Sequence, residues 1–294
     1  MTYSKLLLHC FSLAIVATTL LTTSGCAKAR LAMAGSLVDD VAIAARKSDD
    51  TALVAQAAPT FILLLEGLLE KNPDNRRLLI GAAQSYTSYA ALIEIEDPER
   101  AHRLYERGKR HGLAALSRNE RVAPLLSAPF TEFLSVPSLL KEKDLPAVFW
   151  TASSWGAWIS TNTGSMAALA DLPRVILLME WVLEQDETYF YGSPHVFLGV
   201  YHAALPPTLG GDPEKSLAHF RRAEELTEGR SLIVHAQMAR FYARQIFDRD
   251  LYESLLHKVL NAPTEDEAES KLRLQNELAR NMARQLLLEA DDFF

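Results

Sequence analysis

The sequence predicts an all-α fold, a solenoid of stacked helical hairpins. Three observations carry this reading. From about residue 51 almost to the end, apolar residues recur every three to four positions, the spacing that gives a helix one apolar face. No convincing stretch of strict alternation, the mark of a half-buried strand, interrupts them. One segment is also echoed further along the chain at a constant offset of 115 residues.

The chain starts with an address. Met1 to Cys26 reads MTYSKLLLHCFSLAIVATTLLTTSGC. Lys5 supplies a positive start, Leu6 to Leu21 is mostly apolar, and small residues follow, which is the layout of a secretory signal. Ser24 and Gly25 before Cys26 resemble the bacterial lipobox, so Cys26 is expected to become the acylated N-terminus of the mature protein. Each buried methylene of such an anchor contributes about 0.8 kcal/mol. Ala27 after Cys26, in place of Asp, resembles the pattern sent to the outer membrane. The expected organisation is a signal peptide over 1–25, a lipidated tether with a first helix over 26–50, and a helical domain over 51–294.

Helical segments then follow in order. TALVAQAAPTFILLLEGLLEKNP ends on Asn72-Pro73, a stop signal. RRLLIGAAQSYTSYAALIEIE and DPERAHRLYERGKRHGLAAL give a second and third helix. Pro124, Pro129, Pro137 and Pro146 are expected to break the next stretch into short pieces. Seven further amphipathic segments run from PAVFWTASSWGAWIS to the C-terminal stretch ending LARNMARQLLLEA.

The echo has a physical reading. Asp97-Pro98-Glu99 leads to Ala101, Tyr105 and Gly108; Asp212-Pro213-Glu214 leads to Ser216, Phe220 and Ala223. Asp serves as N-cap, Pro sits where its missing N–H costs nothing, and Glu offsets the helix dipole. Small, aromatic, small at positions 0, +4 and +7 is the second-helix pattern of a tetratricopeptide repeat. Ile80-Gly81 and Leu198-Gly199 supply the matching first helices. Gly210-Gly211 therefore belongs to an inserted loop, Leu205 to Gly211. A phosphate-cradling loop would need a preceding strand and a following Gly-Lys-Ser/Thr.

Composition narrows the function. The chain has 30 Lys and Arg against 37 Asp and Glu, a formal charge of −7, which does not draw nucleic acid. The two cysteines, Cys10 and Cys26, are both N-terminal, so the rest of the chain forms no disulfide and no thiolate zinc site. No Gly-x-Ser-x-Gly and no His-Glu-x-x-His occurs, and apart from the anchor the expected mature chain has no cysteine nucleophile, so no enzymatic activity is expected. No cofactor is expected.

FWTASSWGAWIS, the segment from Asp171 to Leu226, and ARFYARQIFDRDLYESLLHKVL are similar to the T component of TRAP (tripartite ATP-independent periplasmic) transporters. The most specific elements are Trp155-Gly156-Ala157-Trp158, Leu205-Pro206-Pro207 with Gly210-Gly211-Asp212-Pro213, and Phe247-Asp248-Arg249-Asp250. The resemblance implies a non-catalytic periplasmic lipoprotein, assembled as a homotrimer with a pore through each subunit. It also implies a partner, the solute-binding protein of a TRAP transporter, and hand-over of a small, hydrophobic organic acid. Two other readings stay open: a stand-alone periplasmic ligand carrier, and an envelope scaffold whose repeats only bind proteins.

Candidate site residues follow from side-chain chemistry. Trp155 and Trp158 lie three apart on one helix, with Trp150 further round, and could line an apolar channel or simply pack. Tyr189, Tyr191, His195, Tyr201 and His202 pair an apolar body with a polar tip, which suits a wall that passes an organic anion. His195 and His202 without a nearby third ligand make a poor metal site. Leu205, Pro206 and Pro207, with Gly210 and Gly211, form a stiff stretch suited to a pore rim or a partner contact. Arg240, Arg244 and Arg249 could meet a carboxylate, but Asp248 and Asp250 alongside favour an internal ion-pair net. The basic stretch from His102 to His111 is expected to be a solvated helix face.

Overall fold

The computed structural model describes residues 38–264 and 271–294; the signal segment and Cys26 lie outside them. The chain divides into two units, Met1–Ala42 and Ile43–Phe294. Of the first, residues 38–42 are described and are helical. All elements below belong to the second.

The described residues are helical, with no strand among them, so the all-α reading holds. Helix α1 is Thr51–Lys71, α2 Arg76–Ile93 and α3 Pro98–Leu116. Each starts on a side-chain cap: Asp50 accepts from Leu53 N–H, Asn75 from Leu78 N–H, and Asp97 from Arg100 N–H. The proline-rich stretch forms short turns at Ala123–Ser127, Phe130–Phe133, Pro137–Leu139 and Glu142–Asp144. Pro146 departs from the expectation. It sits in the first turn of α4, Leu145–Ser160, and starts that helix instead of breaking it.

After a short helix at Met166–Ala170 come α5, Leu172–Gln185, and α6, Tyr189–Ala204. Then follow α7, Pro213–Leu226, and α8, Leu232–Gln237, which widens into a π-helical segment, Met238–Ala243. Helices α9, Arg249–Leu260, and α10, Arg273–Leu288, complete the array. From α1 to α7 each numbered helix packs on the next, except that α4 also reaches back to α2. Helices α8, α9 and α10 pack mutually, and α10 touches α1, so the ends of the array meet.

The predicted echo is a pair of matching hairpins. Ala101, Tyr105 and Gly108 on α3 are buried, as are Ser216, Phe220 and Ala223 on α7. A Cβ at Gly108 would stand 2.9 Å from Thr87 Oγ1 on α2, and one at Gly112 only 2.6 Å from Thr151 Oγ1 on α4. Glycine here lets α3 lie close between two neighbours. In the second hairpin Ser216 Oγ donates to Gly199 O at 2.8 Å, and the Phe220 ring lies against Gly199. Phe220 then anchors the C-terminal core with Leu232, Tyr252, Leu256, Val259 and Ala283.

Candidate functional site

The α6–α7 hairpin gathers most of the polar aromatic residues. Its loop turns the chain back tightly: Gly210 N–H donates to Pro207 O, Gly211 N–H to Pro206 O, and Asp212 N–H to His202 O at 2.9 Å. Gly210 adopts φ +96°, a backbone region that favours glycine. A Cβ on Gly211 would fall 1.7 Å from Leu205 O. Gln245 Nε2 ties the loop down by donating to that same Leu205 O. Both glycines therefore serve the turn. Leu205 is half-buried, Gly211 is buried, and Pro206, Pro207 and Gly210 are exposed as a rim.

This turn brings α7 back along α6 and adds a third imidazole, His219. The Nδ1 atoms of His195 and His219 are 2.9 Å apart. His202 stacks on His219, with ring centroids at 5.8 Å and planes 8° apart, and Tyr201 packs on His202 at 4.9 Å. Glu187, just before α6, lies 3.2 Å from His195 Nε2, and Arg222 donates to both of its oxygens at 3.0 and 2.6 Å. The network assigns the protons: His195 Nε2–H donates to Glu187, leaving His195 Nδ1 to accept from His219 Nδ1–H.

The electrostatics keep these rings neutral. Arg222 first, and His195 after it, hold the Glu187 carboxyl down at about 2. Burial first, then the neighbouring His195, His202 and Lys215, push His219 down to about 4. Burial also lowers His195 and His202. At neutral pH the cluster thus presents uncharged rings with polar edges, suited to stacking and hydrogen bonding. His202 Nδ1 is buried without a partner. Among the described residues no group of three His, Cys, Asp or Glu is placed to hold a metal ion.

A second aromatic group forms where α4 meets the start of α6. Phe149 packs edge-on against Trp150 and Tyr189, each at 5.0 Å, and Phe190 packs against Trp150 at 5.1 Å and Tyr191 at 5.7 Å. Phe190, Tyr191 and Gly192 all have positive φ, at 45°, 62° and 71°. That left-handed run costs a residue with a side chain about 1–2 kcal/mol. The packed rings around it hold it in place.

Trp150 joins this second group, whereas Trp155 and Trp158 share Lys109, whose Nζ is 5.9 Å from the Trp155 ring centroid. Trp150 and Trp155 are buried, and the Trp155 indole N–H donates to Asp171 at 3.2 Å. Trp158 is half-buried, with its indole nitrogen unpartnered. Lys109 Nζ lies 3.2 Å above the Trp158 ring, and the His102 ring stacks on it at 6.0 Å. Burial lowers the Lys109 pKa. Arg240 and Arg249 do enter ion pairs, but with Glu94, Glu253 and Asp291; Arg244 lies over the Phe293 ring. Asp248 instead caps α9 by accepting from Leu251 N–H.

Sequence reasoning missed His219, Glu187, Arg222 and Lys109. His219 adjoins Phe220 in the echoed helix, one place off the small–aromatic–small face, so the repeat pattern passes over it.

No curated protein matches the chain. A family model described as TRAP transporter T-component matches residues 47–294, which spans every numbered helix. The chain therefore belongs to the TRAP transporter T-component family.

Proposed function

We propose that this protein is a non-catalytic component of a TRAP-type transporter, held through acylated Cys26 on the periplasmic side of the bacterial envelope, at the outer membrane. There it docks the transporter's solute-binding protein and receives or hands over a small organic acid. The observation that carries this reading is the family match along the whole helical domain. The α6–α7 hairpin supports the solute role, because Tyr201 and His202, whose Nδ1 has no partner, set uncharged polar atoms among apolar ring faces. The exposed Pro206, Pro207, Thr208 and Gly210 beside them suit a rim.

Helix α1 supports assembly into a homotrimer. It is the one helix among the described residues long and apolar enough to cross a membrane, yet Leu53, Leu63 and Leu64 are 59, 72 and 60% exposed. An apolar face of that kind is commonly covered by another chain.

The test is affinity capture of the full-length protein from envelope membranes, followed by mass spectrometry of proteins and small molecules. Co-capture of a TRAP solute-binding protein, and loss of membrane association in Cys26→Ala, are the expected results. Recovery of neither the receptor nor any transporter subunit would remove the reading.

A further inference from the structure

The basic stretch of α3 does more than cover a helix with solvated charge. Arg100, Arg103, Arg107 and Arg110 follow the helical spacing 3, 4, 3, and all four are exposed. With Leu104 and Glu106 they border one shallow, open groove of about 520 Å³ along a single face of α3. Ten residues of helix place the outer two about 15 Å apart. In a chain with a net charge of −7, this is a local reversal of sign.

Two of the guanidinium groups are held in place. Arg100 lies over the Tyr89 ring at 5.3 Å and Arg107 over the Tyr86 ring at 5.9 Å. Tyr86 is itself fixed, because its hydroxyl donates to Glu66 at 2.7 Å. Arg107 Nη1 also donates to the Tyr86 hydroxyl at 3.4 Å, and the remaining N–H groups of these exposed guanidiniums can meet carboxylates two bonds at a time. Acidic neighbours neutralise the stripe weakly: Glu99 stands 4.0 Å from Arg103 and is 90% exposed.

The second hairpin is an internal control. The positions equivalent to Arg100, Arg103, Arg107 and Arg110 are Lys215, Ala218, Arg222 and Glu225. There Arg222 is taken up by Glu187 and Glu225, and Lys215 by Asp212. The repeat architecture therefore does not require arginine at these places, and the two cations at the equivalent positions, Lys215 and Arg222, are paired internally.

We infer that the arginine groove of α3 is a docking surface for an acidic segment of a protein partner. This rests on the proposed function, in which that partner is the TRAP solute-binding protein. Glu106 within the groove disfavours closely packed phosphates. An elongated row of guanidinium groups matches carboxylates spaced along a peptide rather than a single small acid.

The experiment uses the full-length protein in detergent micelles, wild type and Arg103→Glu/Arg110→Glu, with Arg103→Gln/Arg110→Gln as the milder pair. Circular dichroism and Tm check that the variants are folded. Binding is measured by fluorescence anisotropy with a labelled helical peptide carrying Glu at i, i+3 and i+7, against its Gln counterpart. It is also measured by flotation with phosphatidylglycerol vesicles. The expected result is salt-sensitive binding of the Glu peptide, at least about 10-fold weaker in the Glu pair and intermediate in the Gln pair. Peptide binding unchanged by the substitutions, or vesicles bound through these arginines in place of peptide, overturns the inference. Envelope capture with the same variants separates the two claims. Receptor lost from the Glu pair supports both. Receptor captured equally by wild type and variant overturns the groove and leaves the transporter role standing. Receptor captured by neither overturns the transporter role, and with it the identity given to the partner.

Discussion

His195 on α6 and His219 on α7 meet Nδ1 to Nδ1 at 2.9 Å, so the hydrogen bond that joins the hairpin requires one of the two nitrogens to be unprotonated. Both rings are depressed below the usual histidine range, His219 to about 4. A depressed histidine contributes stability that is present above its unfolded pKa, near 6.5, and is lost as pH falls through the folded value. The groups around the pair are Glu187, Arg222, His202, Lys215, Asp212 and Tyr201.

The first prediction is a Tm that falls as the pH is lowered from about 6.5 toward about 4, with a loss on the order of 1–3 kcal/mol. His219→Gln should flatten that window, since the amide keeps a donor but does not titrate. Calorimetry across this range checks it. A profile just as steep in the variant would show that other groups carry the acid sensitivity.

Gly211→Ala should be strongly destabilising. The added Cβ meets the Leu205 carbonyl oxygen at 1.7 Å, and both partners are backbone, so the turn itself must shift. The cost is expected to reach or exceed the about 1–3 kcal/mol typical of overpacking. Gly67→Ala on α1, where a Cβ meets nothing within 4 Å, is the control and should be neutral or mildly stabilising. Urea denaturation of the two variants side by side gives the comparison.

The left-handed run at the start of α6 predicts an inverted order of substitutions. Tyr191→Gly and Tyr191→Ala both remove the ring, but only glycine tolerates φ 62° without strain. Tyr191→Gly should therefore be the more stable by about 1 kcal/mol, against the usual rank inside a helix. Equal midpoints would mean that the backbone relaxes once the ring is gone.

Phe220→Ala should cost about 3–5 kcal/mol, because the ring is fully buried between the two halves of its hairpin and the C-terminal core. At the equivalent place in the first hairpin, Tyr105→Phe keeps the ring and loses one bond, from the hydroxyl to Glu94 at 2.6 Å. That loss should be about 1.5–3 kcal/mol, as for hydrogen bonds to charged groups. Thermal melts distinguish the two magnitudes.

The sequence by itself determined the fold class, most helix starts and the paired hairpins. These features are local: a cap reaches two or three residues, and a helical face repeats every three or four. Asp97 and Asp212 cap as their surroundings require, and Gly108, Gly112 and Gly199 mark close approaches that only a missing side chain allows. The site was legible in part. His195, His202 and Tyr201 belong together, as do Trp155 and Trp158 around Lys109, while Trp150 goes to the aromatic group at the start of α6. Only the tertiary structure brought His219 and Glu187 to His195, set Lys109 over Trp158, and placed α10 against α1. Those pairings depend on the angle and register at which helices far apart in sequence pack, and that geometry is decided by the whole core at once.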